Sequence, residues 1–225
     1  MNKSILTIII IISINVNTFS QSVGVSYLFP KDGELSLPVS PFYYTMPLQF
    51  NDYFGINLTG AIYYIGGMSV KGLPDYIENH RPLLGPFVSL AGNVMPAITI
   101  PFKRFEICFQ GGVFGFYNIN PSLINGNIDR MLIENEDIDM ANSDFSFDNN
   151  PGWGWVYGIN VITAISKKRA LIIGCNYFDG SSDLNLRGSY NSYKIQSATY
   201  KNVDVDYSDS KLNFNAIEVS IGIEF

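Results

Sequence analysis

The residues that could do chemistry are few, and the chain scatters them. His80 is the single histidine, set in a charged run, Glu78-Asn79-His80-Arg81. A histidine serves acyl transfer when a serine or cysteine is held beside it, and no nucleophile motif flanks this one. One histidine also rules out a metal centre built on imidazoles. Asp129, Glu134, Glu136, Asp137, Asp139, Asp144 and Asp148 crowd one stretch whose single basic residue is Arg130, and Asp204, Asp206 and Asp209 crowd another. Carboxylates collect Ca²⁺ when they recur in order around a turn-making glycine. That order is missing, so these read as solvated loop charges. No catalytic, cofactor-binding or metal-ligating residue is assigned, and no cofactor is expected.

The elements that position these residues must be strands. The chain has 225 residues, 47% hydrophobic, 14% aromatic and 15% charged, with a net charge of −6. Lys3 precedes an apolar run from Ile5 to Ile14, and Thr18 and Ser20 are small residues before Gln21. This is the pattern of a secretory signal peptide over residues 1–20. Its removal leaves one domain, residues 21–225, with a net charge of about −7. Past the leader no apolar run is long enough for a spanning helix. The acidic balance argues against nucleic acid as a partner.

Alternation of apolar and polar residues marks eight segments. They are Val23–Phe29, about Pro41–Phe50, Phe54–Tyr64, Phe87–Ile100, Phe105–Tyr117, Trp153–Ile165, Leu171–Tyr177 and Ile217–Phe225. A strand turns successive side chains to opposite faces. One face of each segment is therefore apolar, and the other carries Gly, Ser, Thr and Asn. Tyr43, Tyr63, Phe114 and Phe116 also fall on the polar side, as do three carboxylates, Glu106, Glu218 and Glu224. No Lys or Arg joins them there, so their partners are expected from turn residues such as Arg104 and Arg169, or from water. Cys108 and Cys175 fall on opposite faces of non-adjacent strands, outside disulfide reach.

The connections sort by length. Short turns at Asn51-Asp52, Pro101–Arg104 and Lys167-Lys168-Arg169 join alternate pairs, and longer polar segments join the rest, among them 66–85, 119–150 and 180–210. Aromatic residues gather at both ends of the apolar faces. Trp153, Trp155, Tyr157, Tyr64, Tyr117 and Tyr177 lie toward the long loops, and Phe50, Phe54, Phe102, Phe105 and Phe225 toward the short turns. Two such belts suit the two headgroup layers of a bilayer. Pro47 and Pro96 fall inside strands, where a closed sheet expects a bulge or a shift of register. Val203, Val205 and Tyr207 alternate with Asp204 and Asp206, which predicts a hairpin rising above the wall.

The last nine residues, Ile217-Glu218-Val219-Ser220-Ile221-Gly222-Ile223-Glu224-Phe225, alternate strictly up to a terminal aromatic. This resembles the closing strand of Gram-negative outer-membrane β-barrels. The whole of Val23–Phe225 is similar to the family of small eight-stranded, porin-like barrels of that membrane. The resemblance implies an all-β, antiparallel up-and-down transmembrane barrel in the cell outer membrane. It implies outer-membrane lipids as neighbours and insertion by the barrel-assembly machinery. The lumen of such a barrel is just wide enough to be filled by side chains. The family covers envelope-structural proteins, adhesins, narrow channels for small solutes and a few lipid-modifying enzymes. The leading expectation here is a non-enzymatic barrel with a structural, surface-interaction or narrow-passage role, and a surface ligand would dock at loops 119–150 and 180–210. A lipid-modifying enzyme using His80 is one alternative. The other is a secreted, lipocalin-like ligand-binding barrel, which needs the apolar face inside.

Overall fold

A computed structural model of the chain describes residues 20–31, 40–73, 81–136, 138–197 and 199–225. The leader residues 1–19, the run Glu78-Asn79-His80 and Asp137 lie outside them. In chain order the elements are β1 (Ser22–Pro30), β2 (Ser40–Gln49), β3 (Phe54–Ile65), β4 (Val70–Lys71), β5 (Phe87–Pro101), β6 (Phe105–Ile119), α1 (Asn125–Glu136), β7 (Met140–Ser146), β8 (Gly152–Ser166), β9 (Arg169–Asp183), β10 (Leu186–Lys194), β11 (Thr199–Tyr207) and β12 (Lys211–Glu224).

Eight of the described strands form a ring in the order β1-β2-β3-β5-β6-β8-β9-β12, closed by antiparallel pairing of β12 with β1. Closure sets Val23 against Ile223, Val25 against Ile221 and Tyr27 against Val219. The two apolar faces thus continue one another across the seam. Backbone bonds between Gln21 and Phe225, at 3.1 and 2.9 Å, extend the seam one residue past β1 and β12.

The apolar face points out. Ile221 is 50% exposed, whereas its neighbour Ser220 and Glu218 are buried inside the ring. Phe54, Ile98, Phe109, Tyr157 and Ile173 repeat this around the wall, and the aromatic belts ring its two ends. An exposed apolar band that encircles the wall is unfavourable in water and favourable against lipid. The protein is a transmembrane β-barrel of the outer-membrane type. The lipocalin alternative fails here, because it requires the opposite face inside. Among the described residues no helix is long and apolar enough to cross a membrane.

Pro47 and Pro96 cause no register shift. β2 and β3 stay in step from Phe42↔Ile62 to Gln49↔Gly55, with Pro47 opposite Asn57. The β1–β2 ladder ends at Ser22↔Thr45, so Pro47 lies beyond the reach of β1. At Pro96 the β5–β6 ladder lapses after Val94↔Val113 and resumes in the same register at Ala97↔Gln110. The irregularities fall instead between Gly24 and Ser26 and between Ala164 and Ser166.

The described parts of the long connections carry helix and strand. Segment 119–150 contains α1 and β7, and 180–210 contains the end of β9 and the β10–β11 hairpin. β7, β10 and β11 make a three-stranded antiparallel sheet in the order β11-β10-β7. Segment 66–85 contributes β4, which pairs with the start of β12 through Lys71↔Lys211 and Val70↔Leu212. The wall strands β5, β6, β8 and β9 have 15 residues each, about 50 Å along the strand. Even tilted they outrun an apolar band of about 25 Å, and their surplus surrounds this cap.

Candidate functional site

Inside the ring two layers of opposite chemistry stack. Toward the short turns the lumen is polar. Asn57 Nδ2 donates to Gln110 Oε1 (2.7 Å), Gln110 Nε2 to Asn176 Oδ1 (2.9 Å), and Asn176 Nδ2 to Glu218 Oε2 (2.7 Å). The Tyr63 hydroxyl donates to Glu218 Oε1 (2.8 Å). This belt crosses the barrel from β3 through β6 and β9 to β12 and back to β3. Asn160 adds a longer bond to Gln110 Oε1 (3.4 Å).

The belt corrects the expected partners of the lumen carboxylates. Glu218 is 4% exposed, and its bonded partners are a phenol and an amide, not Arg104 or Arg169. Neutral donors suffice because each carboxylate oxygen receives its own short bond. Glu106 and Glu224 lie at the short-turn rim, half-exposed. Below the belt a cavity of ≈ 70 Å³ runs from Asn51 and Gly55 at the rim up to Asn176 and Glu218. At ~15 Å³ of such space per water it has room for a few waters, which suits a mouth lined by Thr45, Thr59 and Thr99.

Toward the cap the lumen is apolar, although the inward faces read mostly as Gly, Ser, Thr and Asn. Phe114, Phe116, Phe178 and Phe214 interlock with ring centroids 4.6–6.0 Å apart, and Tyr63 sits edge-on to Phe178 and Phe214. Glycines facing inward leave the room these rings need. A side chain at Gly180 would meet Phe114 Cζ at 2.7 Å, and one at Gly152 would overlap the Phe116 ring. Tyr43 likewise lies across the paired Gly24 and Gly222. Gly222→Val is expected to drive the Tyr43 ring from this place and lower the folded yield on refolding into detergent severalfold. Heat-modifiable migration on a gel measures it, and an unchanged yield would show that the ring has another resting place.

The aromatic plug runs without a break into the cap. Met68, Leu84, Met131, Leu132, Leu184, Leu186 and Leu212 belong to the same buried cluster as Phe114 and Phe214. Ile128, Met131 and Leu132 occupy one face of α1 at helical spacing. Main-chain bonds fix the cap to the wall, Leu184 N to Ser210 O (2.8 Å) and Asp148 N to Leu184 O (2.8 Å).

The acidic residues fasten this cap. Asp129 accepts the Ser143 N–H (2.8 Å), Asp139 accepts the Ile195 N–H (2.6 Å), and Asp148 accepts Asn185 Nδ2 (3.0 Å). Tyr190 donates to Glu136 (2.5 Å), Arg81 pairs with Glu134 (3.0 Å), and Arg187 approaches Asp206 (3.8 Å). Among the described residues no three His, Cys, Asp or Glu stand close enough to hold a metal ion. Cys108 is buried in the lumen and Cys175 faces lipid, both as free thiols. The polar belt was legible only in part: its amides and Glu218 were on the inward face, but Tyr63 gave no sign of being the partner of Glu218.

β11 is an edge. Its inner neighbour is β10, and its other side meets no strand among the described residues. Tyr200, Asp204 and Asp206 stand exposed on it, whereas Val203 and Val205 pack on the core. An unpaired strand edge offers a row of N–H and C=O groups to an added strand.

No family model matches the chain, and no curated protein matches its sequence. Several solved structures are similar in fold. The outer membrane protein OprG from Pseudomonas aeruginosa is 11% identical with a TM-score of 0.48, over 93% of this chain and 97% of that one. Ail, the attachment invasion locus protein of Yersinia pestis, is 12% identical with a TM-score of 0.40, over 92% and 97%. A major outer membrane protein from Thermus thermophilus is 8% identical with a TM-score of 0.44, over 93% and 99%.

Proposed function

We propose that this integral outer-membrane β-barrel protein is a non-enzymatic surface module: the wall anchors it, and the cap presents the β11 edge to a partner outside the cell. The short turns, Gln21 and Phe225 face the periplasm, and the barrel-assembly machinery inserts it. The observation that carries the reading is the continuity of the buried cluster from Phe214 and Phe114 into Leu84, Met131 and Leu132. A lumen filled by rings and roofed by a packed cap does not serve as a diffusion channel, and ordering a cap of this size is justified by what the cap presents.

Two measurements test it. Purified barrel in planar bilayers is expected to show no steady conductance above lipid alone, and reproducible open-channel steps would return the reading to solute passage. Val203→Pro and Asp204→Pro separate edge from fold. Along β11 successive N–H groups face opposite sides, so one variant deletes a donor that bonds β10 and the other a donor on the free edge. The free-edge variant is expected to keep normal surface display while cell attachment to extracellular-matrix proteins and to sister cells falls several-fold. Equal attachment by that variant and the parent would remove β11 from the function.

A further inference from the structure

The short-turn rim is electrically lopsided. Lys103 and Arg104 sit in the β5–β6 turn, Lys167 and Lys168 in the β8–β9 turn, and Arg169 opens β9; all five are exposed. The third described turn at this end, after β2, carries Asp52 and no cation. The two basic turns are neighbours, because β6 pairs with β8 from Phe105↔Thr163 upward. Two strand spacings, about 10 Å, separate their midpoints. The five cations form one patch on one side of the rim.

That patch borders a groove and a ledge. The groove, ≈ 490 Å³, is lined by Ser20, Ala164, Lys167, Arg169, Glu224 and Phe225. The ledge is the exposed pair Phe102 and Phe105, stacked at 4.9 Å, with Ile165 63% exposed nearby. Phenyl rings and an aliphatic side chain on the outer wall place this level at the edge of the apolar band, next to the charges.

We infer that this patch is a binding site for an anionic phospholipid headgroup in the leaflet on the short-turn side, with Arg104, Lys167, Lys168 and Arg169 around the phosphate and Phe102, Phe105 and Ile165 against its acyl chains. Guanidinium forks donate to phosphate oxygens two at a time, and lysines supply mobile charge beside them. A purely aqueous acidic partner would have no use for the apolar ledge below the charges. The inference rests on the membrane reading of the wall.

Each cation near an anionic surface is worth roughly fivefold in lipid affinity, so two engaged side chains predict a preference of about 25-fold. The full-length protein is placed in nanodiscs of mixed phosphatidylethanolamine and phosphatidylglycerol, and the retained lipid is read by native mass spectrometry. The ratio of phosphatidylglycerol to phosphatidylethanolamine among the retained lipids is expected to exceed that of the mixture by about 25-fold. K103Q/R104Q and K167Q/K168Q are each expected to cut that several-fold, and K71Q/K201Q/K211Q, at the cap end, to leave it unchanged. Equal enrichment in rim and cap variants, or none in the parent protein, overturns the site. A protein that enters nanodiscs of neither lipid overturns the membrane reading itself.

Discussion

Phe214→Ala is expected to lower the unfolding free energy by about 3–5 kcal/mol, the range for emptying a buried aromatic site. The side chain is 0% exposed and lies 4.6 Å from the Phe116 ring and 5.4 Å from that of Phe114, centroid to centroid. The loss should sit at the high end because the surroundings cannot collapse. β12 is laddered to β9 without a gap from Lys211↔Asp183 to Glu224↔Ala170, and a closed cylinder cannot move one strand inward alone. Phe214→Met, which keeps most of the volume, should cost about 1.5 kcal/mol or less. Reversible urea unfolding in detergent, followed by the fluorescence of Trp153 and Trp155, measures both. A loss under about 1 kcal/mol for the alanine variant would mean that the site refills from neighbouring rings, against the rigid plug described above. The variant should remain non-conducting, because Met131 and Leu132 close the barrel above it.

Glu218→Ala is expected to cost about 2–6 kcal/mol, from two buried donors left without an acceptor at about 1–3 kcal/mol each. Tyr63 O–H and Asn176 Nδ2 are those donors. Asn176 lines the cavity below and Tyr63 does not, so water entering the vacated space relieves Asn176 alone and favours the lower half of the range. Glu218→Gln keeps one oxygen acceptor and should cost about half as much. The decisive comparison is the cycle with Tyr63→Phe. Removing both partners should cost less than the sum of the single losses by about 1 kcal/mol or more, since Tyr63→Phe removes a donor that Glu218→Ala would strand. Additive losses would mean that the 2.8 Å bond between them does not stabilise the fold.

The wall was open to reading because lipid imposes a two-residue period on it. Each of the eight ring strands overlaps the segment that alternation marked, though β9 runs six residues past Tyr177 and β12 starts six before Ile217, and the face that held Val219, Ile221 and Ile223 is the face that meets lipid. The cap was not open to reading in the same way. β7 and β10 offer few apolar residues, Phe145, Leu186 and Tyr190 among them, and their neighbours are Asn, Ser and Asp. α1 does carry the helical spacing of Ile128, Met131 and Leu132, hidden inside a stretch dominated by carboxylates. Those carboxylates looked like solvated charges because their partners, the Ser143 and Ile195 N–H groups, are backbone and leave no mark on composition.

By itself the sequence determined the cylinder: the number of its strands, which side of each meets lipid, and which end has the short turns. One bilayer acts on every strand alike, so a local period carries all of that. Only the tertiary structure decided what fills the cylinder. Tyr63 and Glu218 are 155 positions apart, and Phe114 and Phe214 meet only after the ring has closed. Inward positions obey no common solvent; each is shaped by whichever side chain arrives across the lumen, and that depends on closure and register over the whole chain.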